Sequence, residues 1–123
     1  MAYEYVVDTQ DRIVHVRMWG SVTFPEIATV VAELASDPRI GTEFAEIVDL
    51  TGATTATLRA DDVRAIAYAK TIYFSRRAFV APDPPTYGLV RLFGAHREMS
   101  RPQERVGVFK TLTEATLWLG SGG

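Results

Sequence analysis

The residues best suited to chemistry in this chain gather in one stretch: Asp49, Thr51, Thr54, Thr55 and Thr57. An apolar run, Glu46-Ile-Val-Asp-Leu-Thr-Gly52, carries the acid, and threonine hydroxyls continue to the start of the next helical segment. In α/β folds such strand ends are where helix N-termini and loop side chains converge on ligands, phosphoryl groups and partner proteins. These five residues are therefore the candidate partner surface or phosphorylation switch. A structural reading competes with it, because turn threonines also cap helices and Asp49 can close the turn on its own backbone.

Asp49, Asp83 and Lys110 each fall near a strand end. Two acids and a lysine there would suit a receiver-like phospho-acceptor site with a divalent metal. Receivers, however, open on a buried strand ending in an acid pair, whereas this chain opens on an alternating hairpin. His15 and His96 are the only imidazoles, and neither has a serine, cysteine or acid at motif spacing. A triad or histidine-rich metal site is unsupported. The chain is accordingly expected not to be an enzyme, and no catalytic residue, metal ligand or cofactor is assigned.

Two further patterns carry weight. Residues 76 to 105 hold Arg76, Arg77, Arg91, Arg97, Arg101 and Arg105 against Asp83, Glu98 and Glu104. A solvated basic face is the ordinary meaning, and an anion or acidic-partner surface is the functional one. Tyr68, Tyr73, Phe74, Tyr87 and Phe93 lie on two successive helical segments. If those helices run side by side, the five rings can line an apolar ligand slot beneath the stiff loop Pro82-Asp-Pro-Pro85, although most such rings are core.

The elements that must position these groups alternate strand and helix. Strands are expected over 3–8 and 12–19, joined as a hairpin, with Val14, Val16 and Met18 on one face and Ile13, His15, Arg17 and Trp19 on the other. Thr23-Phe-Pro-Glu26 has the form of a capping box with proline in the first turn. The helix it opens places Ile27, Val30, Val31 and Leu34 on one face and stops at Asp37-Pro38. A strand over 45–50, a helix over 60–74, a strand over 77–82, a helix over 85–100, a strand over 105–110 and a short helix over 113–119 complete the order. Asp61 and Asp62 suit the positive end of the second helix. The fold expected is one α/β domain with a mixed five-stranded sheet and four helices in the order β-β-α-β-α-β-α-β-α.

With 123 residues, 47% of them hydrophobic, the chain has the size and core of one domain. That domain is expected over 1–119, with 120–123 a flexible tail. A net charge of −2 offers no field for nucleic acid or anionic membranes. No cysteine is present, so thiolate chemistry and disulfides are excluded. With no leader-like segment and no apolar stretch of about 20 residues, a cytoplasmic protein without a membrane span is expected.

The element order, with Ile47-Val-Asp-Leu-Thr-Gly52 on the third strand, resembles the STAS domains, the SpoIIAA-like anti-sigma-factor-antagonist fold. It is most similar to the bacterial STAS-like proteins of that fold, in which the Tyr87-Gly88-Leu89 segment, Val108-Phe109, Glu114-Ala115 and Trp118-Leu119 recur in this order. In phosphorylatable members a serine follows the strand at a helix N-terminus; Leu58 stands there and has no hydroxyl. The resemblance implies a non-enzymatic regulatory module acting through protein–protein contacts, with a protein or a second copy of the chain as partner. The alternative is a carrier or sensor of a small hydrophobic, lipid-like ligand.

Overall fold

Alternating apolar and polar residues at the start of the chain build a hairpin whose inner face seeds the core. In a computed structural model describing residues 1–69 and 72–121, β1 (Ala2–Asp8) pairs antiparallel with β2 (Ile13–Ser21). The turn is closed by Asp8 Oδ1, which accepts from the Gln10 and Asp11 amides, and by Arg12 in the left-handed region at φ 57°. Val14, Val16 and Met18 are buried while His15 and Arg17 face out, as the alternation requires.

The remaining chain adds β3 (Ala45–Thr54), β4 (Arg76–Val80) and β5 (Arg105–Phe109), each parallel to its neighbour, giving a mixed sheet in the order β1-β2-β3-β4-β5. Helices α1 (Phe24–Ala35), α2 (Ala60–Tyr68) and α3 (Pro84–Ser100) supply the crossovers. Helix α4 (Leu112–Gly120) ends the described fold, capped by Ser121. This is the expected single α/β domain with five strands and four helices.

Two cores separate the layers. On one face Val48, Leu50 and Phe79 pack with Val30 and Leu34 of α1, Val63 and Ala67 of α2, and Val90 and Phe93 of α3. On the other, Ile47, Ala78 and Val80 meet Ala115 and Leu119 of α4. A single helix cannot cover that second face, so its β1–β2 half is left open, with Val6 65% exposed.

Two boundaries move for physical reasons. Strand β3 runs to Thr54 rather than stopping at 50, because β2 continues beside it past an irregularity between Arg17 and Trp19 and pairs Ser21 with Thr54. Helix α2 ends at Tyr68 rather than 74. The Arg97 guanidinium takes the Ala67 and Ala69 carbonyls, and the Phe74 amide donates to Glu104, so partners from elsewhere replace the next helical turn. Residues 70 and 71 of the expected helix lie outside the described residues, as do 122 and 123 of the expected tail; Gly120 belongs to α4.

Candidate functional site

Helix α1 is held along one flank only. Its apolar stripe reaches the core, and three polar contacts tie it to β1 and the N-terminus. Met1's amine meets Glu26 at 2.8 Å, Tyr3 Oη donates to Glu33, and Tyr5 Oη donates to Asp37 at 3.0 Å. The Arg39 guanidinium, with its backbone amide and Tyr5 adding donors, holds the Asp37 carboxyl well below the usual carboxylate range. Toward α2 nothing comparable exists among the described residues. Helices α2 and α3 pack closely, whereas the α1 backbone makes almost no close approach to another element.

The gap on that flank is a groove of about 300 Å³ whose walls include Ala28, Ala32 and Ala35 of α1 and Ala65 and Ala69 of α2. Beneath it lies an inner cavity of about 110 Å³ between the helices and the sheet. Ile27, Val31 and Ile66 line both spaces and so stand between them. The inner walls are mostly apolar, among them Met18, Val48, Leu50, Phe79 and Phe93, with Thr55, Glu46 and Arg77 as the polar exceptions.

Glu46 and Arg77 belong to a buried network of four charges. Arg77 Nε donates to Glu46 Oε1 at 2.9 Å and its Nη1 to Glu104 Oε1 at 3.3 Å. Arg97 Nε and Nη2 grip the two oxygens of Glu104 at 2.9 and 3.4 Å. Glu46, Arg97 and Glu104 are each at most 1% exposed and Arg77 8%. Two carboxylates against two guanidiniums give a neutral cluster, which is what lets it persist in an apolar interior.

The members differ in how fully they are satisfied. Arg97 uses all its nitrogens, adding the Ala67, Ala69 and Ile72 carbonyls to Glu104. Glu104 Oε2 also accepts from the Phe74 amide. Arg77 sits over the rings of Phe74, Phe79 and Phe93, 5.3 to 5.7 Å from their centroids, where the π faces favour its charge. Among the described residues, Glu46 Oε2 and Arg77 Nη2 have no hydrogen-bond partner. Burial pushes the Glu46 carboxyl above its ordinary range despite the pull of Arg77. Desolvation works against the Arg77 charge, but Glu46 and Glu104 outweigh it, so the guanidinium stays ionised.

The threonine stretch is largely spent on the fold. Asp49 Oδ1 accepts from the Thr51 amide and hydroxyl at 2.9 and 2.5 Å. Thr55 is buried against the Thr86 hydroxyl at 2.9 Å, and Thr57 donates to the Val22 carbonyl at 3.3 Å. Thr54 is exposed, with its side chain free of hydrogen bonds among the described residues. Asp83 caps α3 through the Thr86 amide and hydroxyl. No group of three or more His, Cys, Asp or Glu among the described residues is arranged to hold a metal.

The five aromatic residues do not assemble into one slot, because α2 and α3 pack directly together and α2 ends early. Phe93 lines the inner cavity and Phe74 is fully buried beside Arg77. Tyr68 is 45% exposed against His96, Tyr73 Oη donates to the Gln103 carbonyl, and Tyr87 lies under Lys110 outside the cavity. The open space lies one helix pair earlier, between α1 and α2.

The basic stretch also divides, since Arg77 and Arg97 are buried members of the network rather than part of a solvated face. Their phase was the available signal. Glu46 falls two residues before Val48, Arg77 two before Phe79, and Arg97 four after Phe93, all core-facing positions. No helix among the described residues is long and apolar enough to cross a membrane. Comparison with protein-family models, curated proteins and solved structures found no match to the chain.

Proposed function

We propose that the protein is a non-enzymatic carrier or sensor of a small hydrophobic ligand, bound between α1, α2 and the sheet. The carrying observation is the apolar groove and inner cavity meeting at Ile27, Val31 and Ile66 beneath a helix fastened on its far flank. Apolar space of this kind is what small-molecule sites are made of, and a helix with few close neighbours can shift to admit a ligand at little cost. The element order is the one that the SpoIIAA-like, STAS-like resemblance implies, and membership of that family is part of the proposal.

The test is saturable binding of an environment-sensitive apolar dye. Wild-type protein is expected to bind it stoichiometrically, and Ala32→Trp, which fills the groove from an exposed helix position, to abolish binding while the fold is retained. Absence of saturable binding to folded wild-type protein would dispose of the reading.

A second reading, regulation through protein contacts, is favoured by the open β1–β2 face. There Arg17 lies over Trp19 at 4.8 Å and beside Glu4 at 3.5 Å, with Val6 exposed nearby. Partner capture or self-association sensitive to Val6→Lys would support it, and insensitivity would remove this face from consideration.

A further inference from the structure

The ligand-binding reading leaves open what the ligand's head must look like, and the inner cavity carries an answer that rests on that reading. Its polar lining is Thr55, whose hydroxyl pairs with that of Thr86, and a carboxylate–guanidinium pair in which one oxygen, Glu46 Oε2, and one nitrogen, Arg77 Nη2, have no hydrogen-bond partner among the described residues. Glu46 is 1% and Arg77 8% exposed, so an acceptor and a donor on these side chains see little solvent, and hydrogen bonds there are worth more than at the surface. A ligand group that donates to the oxygen and accepts from the nitrogen gains both.

Charge restricts that group further. The cluster around the head position is already balanced, with Glu46 and Glu104 against Arg77 and Arg97. A carboxylate, phosphate or ammonium head would leave an uncompensated charge in an apolar interior, which is expensive. A hydroxyl adds none. Shape restricts the remainder of the ligand: about 110 Å³ holds only a head and a few carbons, so a longer chain has to extend past Ile27, Val31 and Ile66, which line both spaces, into the groove of about 300 Å³. A slim flexible chain displaces those three side chains least, and a fused ring system most.

The geometry points to a neutral, single-chain aliphatic alcohol or hydroxyl-headed amphiphile as the ligand class, its hydroxyl donating to Glu46 Oε2 and accepting from Arg77 Nη2. The alanine-walled groove holds the distal part of the chain.

The experiment measures displacement of the bound dye by 1-decanol, by its methyl ether 1-methoxydecane, and by sodium decanoate at pH 8. The ether keeps the acceptor and loses the donor, so it is expected to bind at least about tenfold more weakly than the alcohol, in line with the loss of one hydrogen bond to a buried charged group. Decanoate is expected to be weaker than the alcohol. Glu46→Leu is expected to bring alcohol and ether to equal affinity; should that variant not fold, the ligand pair on wild-type protein decides alone. Equal binding of alcohol and ether by wild-type protein would overturn head recognition and leave the apolar site standing. Tighter binding of decanoate would overturn the neutral head. Dye binding that none of the three displaces would overturn the single-chain ligand, whereas failure of the dye itself to bind would overturn the site.

Discussion

Replacing Arg97 by methionine tests whether the buried network sets the boundary of α2 and closes the core above the cavity. Arg97 is fully buried, with two bonds to Glu104 and three to the carbonyls of Ala67, Ala69 and Ile72. Methionine keeps much of the volume but removes the charge, leaving Glu104 and Glu46 to share Arg77 and three carbonyls without their donor. Breaking a buried pair by removing one partner costs about 3–5 kcal/mol, a large part of the 5–15 kcal/mol typical of a domain. With a urea dependence of about 1–3 kcal/mol per molar, the unfolding midpoint should fall by at least about 1 M. The double variant Arg97→Met with Glu104→Leu removes both charges and leaves Arg77 with Glu46, a neutral pair. It should be more stable than Arg97→Met alone by about 2 kcal/mol, because an apolar replacement of the whole pair avoids the stranded charge. A loss below about 1 kcal/mol for Arg97→Met, the scale of an exposed ion pair, or a double variant no more stable than the single, would refute the argument.

Three other perturbations have expected outcomes. Burial raises the Glu46 carboxyl, so the folded state binds more protons than the unfolded state above the ordinary value of 4.5, and stability falls as pH rises through that window, by at most about 1.4 kcal/mol per pH unit. Glu46→Gln should lose that decline in denaturation series carried upward from pH 4.5, and profiles parallel to wild type would contradict the assignment. Asp37 acts with the opposite sign: its lowered value gives stability at neutral pH that is lost in acid, so Arg39→Ala should make acid unfolding less steep, whereas an unchanged acid limb would speak against it. Gly107→Ala should destabilise by about 1–3 kcal/mol, since a Cβ there would stand 2.8 Å from Phe109 Cε2 with Trp118 close behind; a thermal melt unchanged from wild type would show that the rings have room to move.

Much of the architecture was legible because local signals agreed. Alternation in 12–19, the Thr23–Glu26 capping box and the Asp37-Pro38 stop each specify an element on their own, and they reappear as β2 and α1. The end of α2 was not legible. Nothing near residue 68 stops a helix; Arg97 and Glu104, some 30 residues away, supply the partners that do. The extension of β3 through Thr54 likewise depends on β2 continuing alongside it.

The site was less visible for the same reason. Aromatic content drew attention to the α2–α3 seam, yet bulky rings there fill space, and open space was left where α1 and α2 face each other with alanines. A missing side chain gives no signal in a residue-by-residue reading. The charges that line the cavity were present in the sequence at core-facing phase, but only pairing across strands β3 and β4 shows Glu46 and Arg77 to be neighbours. The threonine stretch invited a switch, and hydrogen bonds from Thr51, Thr55 and Thr57 account for three of its four hydroxyls within the fold.

The most direct test of the ligand site is a methyl-resolved NMR titration of the folded protein with 1-decanol. Saturable shifts at Ile27, Val30, Val31 and Ile66 on α1 and α2 and at Val48 and Leu50 of the cavity floor, with Val6 on the open sheet face and Ile13 beside the α4 core unmoved, are the predicted result. Shifts at the open face with the α1–α2 methyls unchanged would contradict a ligand site between these helices.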